Sequence, residues 1–144
     1  MFFRAAIVVG LDQLSKAVIR RLLAPGQSLP VWPQIFHLSY VQNSGAAFGL
    51  LRGQTWILIT FTVVVVGAIT FYAGHLQPHG LLGWALSLVL GGAVGNLIDR
   101  LRLGYVVDFF DFRIWPVFNV ADIAIVVGVG IIIIYFWRSG GDPF

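Results

Sequence analysis

The sequence contains no cysteine and no glutamate, and only 10% of its 144 residues are charged. Without cysteine there is neither a disulfide framework nor a thiolate metal site. A soluble domain carries about 25% charged residues, so this chain has too little polar surface to cover a water-soluble globule of its size. The net charge of +3 is also thinly spread, with no basic run longer than two residues. That excludes a nucleic-acid footprint. A hydrophobic fraction of 58% and a mean hydropathy of +0.89 make a bilayer the default solvent. The length allows one domain, residues 1–144.

A membrane-spanning helix needs about 20 mostly apolar residues. Residues 56–74, 81–98 and 118–137 meet that test, the last interrupted only by Asn119 and Asp122. Residues 2–23 form a fourth candidate, broken by Asp12, Lys16, Arg20 and Arg21. The short apolar stretch Ala5 to Leu11 also suits a secretory signal, but no small-residue cleavage site follows it. The expected fold is therefore a membrane all-α protein with four transmembrane helices.

Four spans put both termini on one side and both long links on the other. The link between the second and third spans is tiny, His75 to Gly80. The first long link begins with Pro25, Gly26, Pro30 and Pro33, and then Phe36-His37-Leu38-Ser39-Tyr40 alternates apolar and polar residues as a strand does. In the second, Tyr105 to Phe109 is rich in β-branched and aromatic residues and is expected to be extended. A small β-rich platform at that membrane face follows. Lys16, Arg20, Arg21, Arg52, Arg100, Arg102 and Arg113 also belong to that face, against Arg4 and Arg138 on the other. The positive-inside rule taken alone places the long links in the cytoplasm.

Five of the six acids, Asp12, Asp99, Asp108, Asp111 and Asp122, map to the face with the long links. An ionisable residue inside a span costs roughly 2.5 kcal/mol or more and marks function by default, which singles out Asp122. Its structural alternative is pairing with an arginine for assembly. Asn119, three residues earlier, shares its helix face, and its side-chain amide is placed to orient the carboxylate. Trp115-Pro116 precedes them, and proline suits the first turn of a helix. Asp108 lies in an apolar run with Asp111 three residues on. Strand alternation puts these two on opposite faces, so at most one points at Asp122, and the pattern does not say which.

Gly91 and Gly95 form a small-xxx-small face for close helix packing. Asn96, Asp99 and Arg100 share one helix face, which suits an Asp99–Arg100 pair with an amide beside it, and Asp12 and Lys16 stand at i and i+4 in the favourable order. Asn43-Ser44-Gly45-Ala46-Ala47-Phe48-Gly49 supplies small residues where backbone can approach a ligand, or simply turn.

In order, the chain carries Asp12-Gln13-Leu14-Ser15-Lys16, Asn43-Ser44-Gly45-Ala46-Ala47-Phe48, Gly95-Asn96-Leu97-Ile98-Asp99-Arg100, Val106-Val107-Asp108-Phe109 and Phe118-Asn119-Val120-Ala121-Asp122. Together these resemble the bacterial lipoprotein signal peptidases, or signal peptidase II, over nearly the whole chain. The resemblance implies an aspartic endopeptidase with Asp108 and Asp122 as the catalytic pair, Asp111 excluded. It implies supporting or substrate-binding roles for Asp12, Lys16, Asn43, Gly45, Asn96, Asp99, Arg100 and Asn119. It further implies no metal or other cofactor, a monomer in the bacterial inner membrane, cytoplasmic termini and a site at the outer, extracytoplasmic face. The partners it implies are membrane lipid and a prolipoprotein cut just before a cysteine bearing a diacylglyceryl group. The connection between Asp108 and Asp122 is short for the family and leaves little room for a helix outside the membrane.

Two carboxylates held close together share one proton, so that one activates water while the other stabilises the oxygen of the intermediate. Two rival readings have weaker support. A small transporter or proton-conducting protein using Asp122 predicts polar residues deep in several spans, yet Val63 to Val66 and Ile131 to Ile134 are aliphatic. A protease with Ser15 or Ser44 as nucleophile and Lys16 or His37 as base is chemically possible, but nothing in the sequence aims these groups at each other.

Overall fold

The computed structural model describes residues 1–45 and 53–138. Four helices, α1 (Phe2–Leu22), α2 (Thr55–Leu76), α3 (Gly80–Leu103) and α4 (Val120–Arg138), carry at one end a three-stranded antiparallel sheet of order β1-β2-β3, with β1 Ser28–Trp32, β2 Phe36–Asn43 and β3 Val106–Asp111. Three of the helices, α2, α3 and α4, are long and apolar enough to cross a membrane.

The third helix is the buried centre, and small residues let its neighbours approach. A β-carbon on Gly91 would meet Val8 and the Ala5 carbonyl of α1, and one on Gly95 would stand 2.6 Å from Asp12 Oδ2. The expected small-xxx-small face therefore receives α1. Gly92 faces the opposite way, onto the Ala121 carbonyl of α4, and Gly128 of α4 meets Val89 and the Ala85 carbonyl. These contacts make α1 parallel and α4 antiparallel to α3. The Met1 end, the 77–79 link and the Arg138 end thus share one end of the bundle, where Arg4 lies 4.0 Å over the Trp84 ring.

The first helix is inverted relative to a water-soluble one. Its buried positions include Asp12 and Lys16, while Phe3, Ile7, Leu11, Leu14, Val18 and Leu22 lie exposed along one stripe. Polar groups inside and apolar groups outside suit a helix surrounded by lipid.

The sheet forms where alternation and β-branched residues predicted strands, and it adds β1 from the stretch punctuated by prolines. Pro30 is tolerated there because β1 is an edge strand. Tyr40, Val107 and Phe109 of the sheet pack on Ile19 and Leu23, fixing the platform to the end of α1. Among residues 112–119 no helix forms, in keeping with the short connection. Pro116 does not open α4, which begins four residues later.

Candidate active site

Asn119 is the hinge of the site. Its side-chain oxygen accepts the Asp122 backbone N–H at 2.9 Å, and Asp122 Oδ2 accepts the Asn119 backbone N–H at 3.2 Å. This reciprocal capping starts α4 and fixes the Asp122 carboxylate at its first turn. The Asn119 amide then turns away from Asp122. Its Nδ2 donates to Asp108 Oδ1 at 2.7 Å and also reaches Asn96 Oδ1 at 3.1 Å. So Asn119 holds the Asp122 carboxylate through its backbone N–H, not through the side-chain amide that the sequence spacing suggested.

Each carboxylate is gripped at both oxygens. Asp122 Oδ1 accepts Asn96 Nδ2 at 2.8 Å. Asp108 Oδ2 accepts Asn43 Nδ2 at 2.9 Å, and Asn43 Oδ1 in turn accepts the Gly45 backbone N–H at 3.0 Å. Asp108 is 2% exposed. That burial, with Asp122 as a like-charged neighbour, pushes it up to about 7 against the opposing hydrogen bonds of Asn43 and Asn119. Asp111 has other partners. Although partial burial acts to raise it, the Arg113 backbone N–H, the Ser39 hydroxyl and the Arg113 guanidinium hold it below the usual carboxylate range.

Both Asp108 and Asp122 line one cavity of about 790 Å³, together with Asn43, Gly45, Asn96 and Arg100. Apart from Gln42 and Ser44, its remaining wall is apolar and includes Ile123, Ile125, Val126 and Val127 of α4 and the Pro116 that had been expected to open that helix. Val126 is exposed, so this wall reaches the lipid-facing side of α4. Arg100 interacts electrostatically with Asp122, Asp108 and Asp99, and donates from Nη2 to the Gly45 carbonyl at 3.4 Å. Its buried Nε has no partner among the described residues.

Behind the cavity lies a buried ionic cluster. Lys16 Nζ meets Asp12 Oδ2 at 2.8 Å, Asp99 Oδ2 at 2.9 Å and Asn96 Oδ1 at 3.0 Å. Asp99 therefore pairs with Lys16 and not with Arg100, which is left for the cavity. The other oxygen of Asp12 accepts the Ala121 N–H at 3.0 Å, and Asp99 Oδ2 accepts the Val107 N–H at 3.1 Å. The cluster ties α1 and α3 to the backbone beside both carboxylates. Gln13 belongs to it as well, donating to Asp99 Oδ1 at 2.9 Å and the Gly95 carbonyl at 3.1 Å. In the sequence the only signal for Gln13 is its place beside Asp12.

All ten expected site residues are thus brought to one end of the bundle, six lining the cavity and Asp12, Lys16, Asp99 and Asn119 behind it. The Ala46-Ala47-Phe48-Gly49 part of the Asn43 stretch and Arg52 lie outside the described residues. Among the described residues the serine-protease alternative finds no nucleophile–base pair, and neither Ser15 nor Ser44, which lines the cavity, bonds to the side chain of Lys16 or His37. Ser15 Oγ donates to the Asp12 carbonyl, the Lys16 amine is taken by the cluster, and His37 meets Ser28.

Comparisons with known proteins follow the same lines. A model of the signal peptidase II family matches residues 4–138. A lipoprotein signal peptidase of Moorella thermoacetica is 55% identical over 135 residues, covering 93% of this chain and 88% of its own. One from Halothermothrix orenii is 46% identical over 133 residues, covering 92% of each. A bacterial membrane enzyme solved in meso at 2.3 Å superposes with a TM-score of 0.89 at 32% identity, over 99% of this chain and 90% of that one. A second, solved at 1.9 Å, gives 0.79 at 34% identity, over 93% and 90%.

Proposed function

The chain belongs to the signal peptidase II family, and from that premise we propose that it removes signal peptides from prolipoproteins by aspartic catalysis at Asp108 and Asp122. That it is a protease acting on prolipoproteins follows from close relatives covering nearly its whole length. They give the transporter reading no support. The observation that carries the catalytic assignment is the convergence of Asp108 and Asp122 on one cavity, coupled through Asn119.

In this reading Asp108, pushed up to about 7, holds the proton of the pair. Asp122, held by N–H donors at both oxygens, accepts a proton from a water lying between the two. That water attacks the scissile carbonyl, Asp108 donates to the developing oxyanion, and the pair then delivers a proton to the departing amine. No covalent intermediate forms. Asn43 and Asn119 aim Asp108, Asn96 aims Asp122, and Arg100 offers donors and positive charge to the substrate backbone. Gly45 lets a substrate strand approach, while Asp12, Lys16 and Asp99 hold the frame.

The whole chain acts as one peptidase unit, a monomer in the inner membrane, with α1 as a fourth span. The inverted burial pattern of α1 supports that span. The Met1 and Arg138 ends face the cytoplasm, and the sheet lies at the outer face. The arginines near the site then serve chemistry or lipid, so their number is a poor guide to orientation. The cut falls before a cysteine whose diacylglyceryl chains lie along the apolar α4 wall. Each buried methylene contributes about 0.8 kcal/mol, which fixes the scissile bond at the depth of the carboxylates. Purified enzyme given one precursor with and without its lipid tests this. Cleavage of the lipidated form alone is expected, and equal cleavage of both contradicts it.

A further inference from the structure

The sheet carries an apolar surface that the peptidase reaction does not use. All five residues of β1 are exposed. The register shift between Pro30 and Trp32 turns Trp32, opposite Phe36, onto the face of Leu29, opposite Leu38. With Val31 they leave this edge of the sheet apolar and uncovered, and the hairpin tip adds exposed Ile35. Across the platform Ile114 is 93% exposed.

Among the described residues, the charges around this surface that lack a carboxylate partner are of one sign, since Asp111 of the platform is paired with Arg113. Arg20 and Arg21 close α1 and Arg102 closes α3, all exposed and at the platform end of the bundle. Every described acid is engaged elsewhere: Asp12 and Asp99 by Lys16, Asp111 by Arg113, Asp108 and Asp122 in the cavity. Among the described residues no carboxylate pairs with these three arginines. The exposed stripe of α1 that ends at Leu22 leads directly into the platform, so the apolar surface continues the lipid-facing surface of the bundle. Pairing with another strand is a poorer fit, because Pro30 and the register shift after it interrupt the edge of β1.

We propose that the β1–β2 hairpin and Ile114 form a wedge seated in an anionic phospholipid surface, with Arg20, Arg21 and Arg102 on the lipid phosphates. Tryptophan belongs at such an interface, and arginines near it gain from negative headgroups. The wedge holds the platform, and the site beneath it, at a fixed depth.

The absence of cysteine makes the test direct. A polarity-sensitive fluorophore is attached to the full chain through Ile35→Cys, or through Leu29→Cys if the first variant does not fold. The protein is placed in nanodiscs of phosphatidylcholine with or without phosphatidylglycerol. Lipids brominated near the headgroup are expected to quench most of the emission, aqueous iodide little, and phosphatidylglycerol is expected to deepen the bromolipid quenching. Arg20→Gln, Arg21→Gln and Arg102→Gln together are expected to remove that increment. Iodide quenching without bromolipid quenching overturns the proposal. Protection from both quenchers overturns it too, pointing to cover by a second copy, and equal bromolipid quenching in the two compositions overturns its anionic part. The probe reads position and not turnover, so its failure leaves the peptidase reading intact, and failure of the peptidase assay leaves this one intact.

Discussion

Asn119 and Asp122 cap the start of α4 for each other, each side chain accepting the other's backbone N–H, at 2.9 and 3.2 Å. One motif therefore starts the helix, immobilises one carboxylate and, through the remaining Asn119 amide, reaches the other at 2.7 Å. The two roles are separable by mutation. Asn119→Ala removes the cap and costs about 1 kcal/mol of stability from that source alone. Asn119→Ser keeps a capping oxygen but loses the bond to Asp108. It is expected to melt nearer the wild type than Asn119→Ala does, while losing up to about tenfold in kcat, the scale of one hydrogen bond to the protonated Asp108. Melting in detergent alongside turnover checks both.

The pH dependence follows from Asp108. Burial and the charge of Asp122 push it up to about 7, so the singly protonated pair is present below that value and is lost as pH rises through it. A falling limb of kcat/KM near pH 7 is expected. Asn43→Ala removes a hydrogen bond that favours the ionised form, so the limb is expected to move to higher pH. A limb moved to lower pH would mean that Asp108 is not the group observed.

Lys16 is 2% exposed between two carboxylates. Lys16→Met leaves both buried without their cation and is expected to destabilise by about 3–5 kcal/mol. Adding Asp12→Asn is expected to recover part of the loss. Thermal melts of the single and double variants measure it, and an unchanged single variant would contradict the cluster's structural role.

Reporter fusions after Gly26 and after Arg113 are expected to read outside the cytoplasm, and a fusion in the 77–79 link inside. A cytoplasmic signal after Arg113 would vindicate the positive-inside count and invert the orientation proposed here.

Much of this was legible from local pattern. Apolar runs located the helices to within a few residues at most ends, alternation located β2 and the β-branched run β3, and the spacing of Gly91 and Gly95 revealed the face that α1 fills. What failed was partner choice. Spacing on α3 suggested an Asp99–Arg100 pair, but Lys16 arrives from α1 because Gly95 admits that helix, and no local rule contains this. Pro30 hid β1, since proline argues against a strand unless the strand is known to be an edge. Pro116 was read as opening α4, whereas Asn119 supplies the cap and Pro116 lines the cavity. Asp108 and Asp111 could not be separated by alternation alone. Their neighbours differ, asparagines and a like charge for one, Ser39 and Arg113 for the other.

The central claim is that Asp108 and Asp122 together carry the chemistry, and cleavage of a lipidated prolipoprotein by purified wild-type, Asp108→Asn, Asp122→Asn and Asp111→Asn proteins tests it most directly. Each change in the pair is expected to reduce turnover by at least about a hundredfold while leaving the protein folded, because removing one charge relieves repulsion between like neighbours. Asp111→Asn is expected to retain most activity. Full activity in a folded Asp108→Asn or Asp122→Asn protein would contradict the assignment.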